Sequence, residues 1–328
     1  MTTAVAHPPT RKMLPRQLRW LTVLVTGSAL YAAVFAALLG TQDILFVPSL
    51  LLVGAAVVPV TFITFLGGMS RRGDLSFAQV AAAAALGGVI GTVVAGSLEF
   101  ETIRELGSLP TLTIGLIEES AKLAIPAIIL TWRKPRPLDG LVLGVAVGSG
   151  FAALETMGYA FVALVGSRGQ LESVTHLLLV RSVAEPGGHA AWTGLACAAL
   201  FAIRGSRRRW FGWLRFFCVF AGVVALHATW DSLASEHGYL LVGGASFTLL
   251  MAVTWYLHRD TGARPPLPPN RAAHPRDHKR QPDGHRHPAQ RQRDSVPWLS
   301  HAFGAPTGSS PPNAPSPPSS TAASIRRH

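Results

Sequence analysis

Long apolar runs separated by short polar stretches make up most of this chain. About eight windows, at roughly 20–40, 47–67, 76–98, 109–131, 138–165, 183–203, 210–234 and 239–257, are mostly apolar. Each reaches the roughly 20 residues that a helix needs to cross the hydrocarbon core of a bilayer. The pattern predicts an all-α, polytopic transmembrane helical bundle over 20–257, after a basic N-terminal stretch at 1–19. The first window follows Arg11, Lys12, Arg16 and Arg19, is too long for a signal-peptide core and lacks a clear cleavage site after it, so it is expected to stay as a signal anchor.

Composition agrees, with 49% hydrophobic and 14% charged residues. The charges gather in short loops and in the last seventy residues or so. One set of connections holds Arg71 and Arg72, then Arg133, Lys134 and Arg136, then Arg204 and Arg207 to Arg209, whereas the alternate set is poor in Lys and Arg. The positive-inside rule then places both termini in the cytoplasm. The net charge of +12 reads as topology plus a basic tail that suits anionic lipid headgroups. No nucleic-acid motif accompanies it, so a nucleic-acid partner is not expected. From about 258 to 328 the chain is rich in Pro, Arg, His and Ser with no apolar period, and is expected to be a disordered tail. Cys197 and Cys218 fall in different windows without CxxC spacing and read as small buried residues, with no disulfide or zinc cluster implied.

The informative residues are the ionisable ones inside the windows, which need partners or a water-filled cavity. GLIEESAKLAIPAII carries Glu118, Glu119 and Lys122; GSGFAALETMGY carries Glu155; RSVAEPGGHAAW carries Arg181, Glu185 and His189; LHATWDS carries His227 and Asp231. At 1.5 Å rise per residue, Glu118, Glu119 and Glu155 lie ~14 Å from the outer ends of their windows and the two histidines ~10 Å. The four segments therefore bring acids and imidazoles to one level. Glu118 with Lys122, Phe151 with Glu155, and His227 with Asp231 are each four residues apart and share a helix face.

A buried carboxylate beside a like charge takes a proton from water, and a nearby imidazole serves an oxyanion or a leaving amine. This is the equipment of a peptide-bond hydrolase working within the bilayer. Asp231 is placed to orient His227, Lys122 to offset the repulsion of the glutamate pair, and Gly144, Gly148, Gly150, Gly187 and Gly188 to permit close helix approach. Pro186 suits a kinked or re-entrant start to the sixth window.

The set E-E-x-x-K at 118–122, F-x-x-x-E at 151–155, R-S-x-x-E-P-x-x-H-A at 181–190 and H-x-x-x-D at 227–231 resembles the PrsW family of intramembrane proteases. Type II CAAX prenyl proteases are related in pattern. The resemblance covers about 109–234 and implies an endopeptidase acting on a single-span membrane protein such as a transmembrane anti-sigma factor. It places catalysis on Glu118, Glu119, Glu155, His189 and His227, with Lys122, Asp231 and Arg181 in support. Zinc on His189, His227 and a carboxylate, Glu155 or Glu119, is one arrangement. A metal-free site, with Glu118 or Glu119 as general base, is the other. The chain lacks H-E-x-x-H, so both stay open. A CAAX-like or bacteriocin-processing peptidase is the alternative within the class. A proton-coupled transporter or a membrane scaffold is the alternative outside it. Arg181 also reads as an interfacial anchor and Glu185 as a solvated loop acid.

Overall fold

The computed structural model describes residues 18–69, 75–132, 136–233 and 235–263. Helices α1 (Arg19–Thr41), α2 (Val47–Met69) and α3 (Phe77–Leu106) are followed by α4 (Thr111–Lys122), α5 (Ala124–Trp132) and α6 (Pro137–Gly166). Then come α7 (Leu171–Ala184), α8 (His189–Ala202), α9 (Arg209–Ser232) and α10 (Glu236–Ala263). No strand occurs among the described residues. Six of these helices, α1, α2, α3, α6, α9 and α10, are long and apolar enough to cross a membrane.

The two remaining expected spans, the fourth and the sixth, occur as broken helices. In the fourth, the ring of Pro126 cannot coexist with a helical carbonyl four residues earlier, at Lys122. The helix accordingly ends at Lys122 and resumes at Ala124. That break leaves Lys122 in the last turn of α4, where the exposed carbonyls favour a cation. In the sixth, the chain turns back at Leu171 rather than near 183, and α7 runs to a 3-10 turn at Glu185–Gly187 before α8 begins. Pro186 and the two glycines after it supply the break, as the sequence suggested.

Helix α6 is the axis of the bundle. Of its apolar window 72% is buried, against 6% for α1 and 22% for α10. It packs on α2, α3, α7 and α8. Gly140, Gly144 and Gly148 form a row at i+4 spacing that meets Phe201, Thr193 and His189 of α8 in turn. A Cβ on Gly148 would run into the backbone carbonyl of His189. Without it the two backbones close to contact, which fixes the height of His189 against α6. On the other side Gly87, Gly88 and Gly91 of α3 do the same against Val147, Gly150 and Phe151. Small residues are how membrane helices reach such contact.

Cys197 is buried in the α6/α8 interface, but Cys218 faces outward from α9, contrary to expectation. An outward position on a transmembrane helix meets lipid and suits a small apolar side chain just as well. Of the expected tail, His258 to Ala263 continue α10. The rest of the tail, residues 1–17 of the N-terminal basic stretch, and Arg71, Arg72, Arg133 and Lys134 lie outside the described residues.

Candidate active site

Four helices deliver the site. Helix α4 contributes Glu118, Glu119 and Lys122; α6 contributes Phe151 and Glu155; α8 begins at His189; α9 carries His227 and Asp231 near its end. Glu118, Glu119, Lys122, His189 and His227 are all buried, Glu119 and Lys122 completely. The structure brings together every ionisable residue that the motifs single out.

Lys122 is the hub. Its Nζ donates to Glu118 Oε2 at 3.0 Å and to Glu119 Oε1 at 2.8 Å, and lies 2.8 Å from Nδ1 of His189. An ammonium has donors only, so His189 Nδ1 accepts and its proton sits on Nε2. Nε2 lies 2.8 Å from Glu155 Oε2 and donates to it. Arg181 donates to the same oxygen at 2.7 Å and, through Nε, to Thr156 Oγ1 at 3.1 Å. Glu155 thus belongs to an Arg–Glu–His chain that ends on Lys122. Phe151 closes this side, its ring 3.9 Å from the Lys122 ammonium and edge-on to the His189 ring.

Glu119 is saturated. Besides Lys122 it accepts from Thr193 Oγ1 at 3.2 Å and from His227 Nδ1 at 3.0 Å. A carboxylate that already accepts from Lys122 leaves His227 to donate through Nδ1, which fixes that ring in turn. Its other nitrogen, Nε2, faces Glu118 Oε2 at 3.6 Å and Asp231 Oδ2 at 3.4 Å. The orienting carboxylate of His227 is therefore Glu119, reached from another helix, while Asp231 guards the reactive nitrogen. Trp192 stacks on the His227 ring with centroids 4.8 Å apart and donates its indole N–H to Ser246 Oγ at 3.1 Å.

Several contributors carry no signal in the motifs. Thr193, Thr156 and Trp192 are ordinary residues by type; Thr193 is detectable only as the residue one turn after His189. Glu185 is 6% exposed, not a solvated loop acid, and neither of its carboxylate oxygens finds a hydrogen-bond partner among the described residues. Arg181 is no mere anchor, given its bonds to Glu155 and Thr156.

Glu118, His189 and His227 each offer a ligand atom, and these atoms all lie within 4.8 Å of one another. The carboxylate in this set is Glu118, where the sequence reading put Glu155 or Glu119. Those two instead stand behind the imidazoles, Glu155 on His189 Nε2 and Glu119 on His227 Nδ1, the arrangement that orients metal-ligating histidines. Charge points the same way: the acids Glu118, Glu119, Glu155 and Asp231 outnumber the cations Lys122 and Arg181 in one connected cluster. A divalent cation would balance the surplus. The residues present fit a zinc site of His-His-carboxylate type once Lys122 turns from His189 Nδ1, whose single lone pair serves either the ammonium or the ion.

Among protein families, the chain matches the one described as PrsW family intramembrane metalloprotease, over residues 75–257. The match takes in α3 to most of α10, and with them all four motif-bearing segments. No curated protein and no solved structure matches the chain. The match spans more than half of the 328 residues, and it carries the same motifs that meet in space here: the chain is a multi-pass membrane protein belonging to the PrsW family of intramembrane metalloproteases.

Proposed function

We propose that the chain is an endopeptidase that cuts a single-span membrane protein near the extracytoplasmic face, as in the first cut of a transmembrane anti-sigma factor. One observation carries this reading. Each imidazole has one nitrogen committed to a carboxylate, and His227 Nε2 is left facing Glu118 at 3.6 Å. An acid and an imidazole held so, with every neighbour fixed, form a preorganised acid–base pair rather than a structural tie.

In this reading Glu118, bonded to Lys122, takes the proton of the attacking water. Glu118 passes that proton to His227 Nε2, 3.6 Å away, and the imidazolium, its ring held by Glu119, donates to the oxyanion and delivers the proton to the leaving amine. His189, locked between Lys122 and Glu155, defines the opposite wall. Zinc held by Glu118, His189 and His227 would be the other arrangement, in which these side chains would serve as ligands instead of as base and acid and the ion would supply Lewis acidity toward water and the scissile carbonyl.

Two features support the outer face. The Thr111 and Ser232 hydroxyls meet at 3.0 Å, tying the start of α4 to the end of α9. Glu118 and His227 therefore lie toward the end of the bundle whose connections, 107–110, 167–170 and 233–235, hold a single basic residue, Arg168. By the positive-inside rule that end is extracytoplasmic and both chain termini are cytoplasmic.

The test compares the membrane and shed proteomes of cells expressing the wild type or the Glu118→Gln, Glu119→Gln double variant at matched levels. Full-length single-span proteins should accumulate in the variant and their ectodomain fragments disappear. Indistinguishable profiles would favour a transporter or a scaffold.

A further inference from the structure

A hydrolase buried in a bundle needs a route by which a membrane helix reaches it. Between α7 and α10 runs an open apolar groove of about 660 Å³. Its α7 wall is Leu179 and Val183, its α10 wall Leu240, Gly244 and Phe247, and Pro186 closes one end. Among the described residues, no charged one lines it.

Three observations point to its occupant. First, both walls repeat at helical spacing, 179/183 and 240/244, giving a trough about two turns, or ~11 Å, long between i±4 ridges. Second, the floor at Gly244 is open: a Cβ there would meet nothing within 4 Å. A bare backbone facing lipid is what another helix packs against, and an acyl chain has no need of it. Third, the groove abuts the site. Trp230, which lines the pocket at His189 and Arg181, packs against Tyr239 of the groove with centroids 4.7 Å apart. Gly187, also in the groove, lies two residues from His189.

We infer that the α7/α10 groove is the docking surface for the transmembrane helix of the substrate, which enters from the lipid and meets the site past Trp230 and the Pro186–Gly188 break. The inference rests on the protease reading for its purpose but not for its test.

The test uses the Glu118→Gln, Glu119→Gln chain in phosphatidylcholine vesicles. The probe is a synthetic helix of about 20 leucine and alanine residues, long enough to span, bearing a diazirine amino acid. Photo-adducts should concentrate on Val183, Leu240 and Phe247 over Val25 and Leu30, which are 65% and 53% exposed on α1. Gly244→Leu should lower the groove adducts roughly ten-fold, with Gly244→Ala between. Unchanged α1 labelling in both variants would show that the bundle is intact. The proposal is overturned by adducts spread evenly over groove and α1. It is equally overturned if a diazirine phosphatidylcholine labels the groove and the helix does not, or if Gly244→Cys chains cross-link to one another there. Because the chain used is catalytically silenced, a failed groove is told apart from a failed hydrolase.

Discussion

Lys122 Nζ and His189 Nδ1, sixty-seven residues apart in sequence, lie 2.8 Å apart in the core. This contact couples the glutamate pair of α4 to the Arg181–Glu155–His189 chain, and it sets the His189 tautomer.

Lys122→Met should be strongly destabilising, because it leaves Glu118 and Glu119 buried without their cation. Breaking a buried pair this way costs about 3–5 kcal/mol. Adding Glu119→Gln should recover part of the loss, so the double variant is less than additive. Thermal unfolding of detergent-purified protein, followed by fluorescence-detected size exclusion, reads this directly. Strict additivity would mean that Lys122 is not the counter-charge.

Arg181 and Glu155 are a different case. Their side chains are 26% and 19% exposed and Glu155 keeps His189 as a second partner, so Arg181→Ala should cost less stability than Lys122→Met. Yet it frees Glu155 to swing from His189, and turnover should fall roughly ten-fold, as expected for a small misplacement of a catalytic group. Arg181→Lys, which keeps the charge, should recover only part. A loss of activity that tracks a loss of melting temperature would reduce Arg181 to a structural tie.

His227→Gln should lower kcat by roughly 10²–10⁴-fold, the range of a lost general acid–base, with KM little changed. A change confined to KM would place His227 in substrate binding instead.

Metal content gives an independent measure. If the zinc arrangement holds, protein purified without chelator should carry zinc, and both Glu118→Gln and His227→Ala should reduce it toward background by plasma mass spectrometry. Glu155→Gln should lower it by roughly 10–100-fold in affinity at most, as for a residue behind a ligand. Equal zinc in all four proteins would remove Glu118 and His227 from the ligand set.

Gly148→Ala pushes a methyl group at the His189 carbonyl. Overpacking of this kind costs about 1–3 kcal/mol, and the displaced α8 should carry His189 away from Glu155. Gly158→Ala, on the same helix with nothing within 4 Å of its Cβ, should be neutral or slightly stabilising and serves as the control. Equal effects at the two positions would argue against the glycine row as the device that sets His189.

The apolar runs by themselves determined that the chain crosses a membrane repeatedly as helices, because a backbone in lipid has few other ways to satisfy its hydrogen bonds. They also exposed Glu118, Glu119, Lys122, Glu155, His189 and His227, since an ionisable group in such a run stands out against its neighbours. Pro186 was legible as a kink at the start of the sixth window, but a hydropathy window averages over Pro126, and the fourth span read as continuous. Only the tertiary structure decided who partners whom. Periodicity reports the face that a residue shares with its own helix, so Asp231 was paired with His227 across one turn, while the carboxylate on Nδ1 came from α4. Thr193 and Trp192 acquire roles solely from the position that the Gly140–Gly144–Gly148 row gives α8. Glu118 rather than Glu155 joins the two histidines for the same reason: ligation depends on where side-chain ends converge across helices, and a one-dimensional pattern carries no information on that convergence.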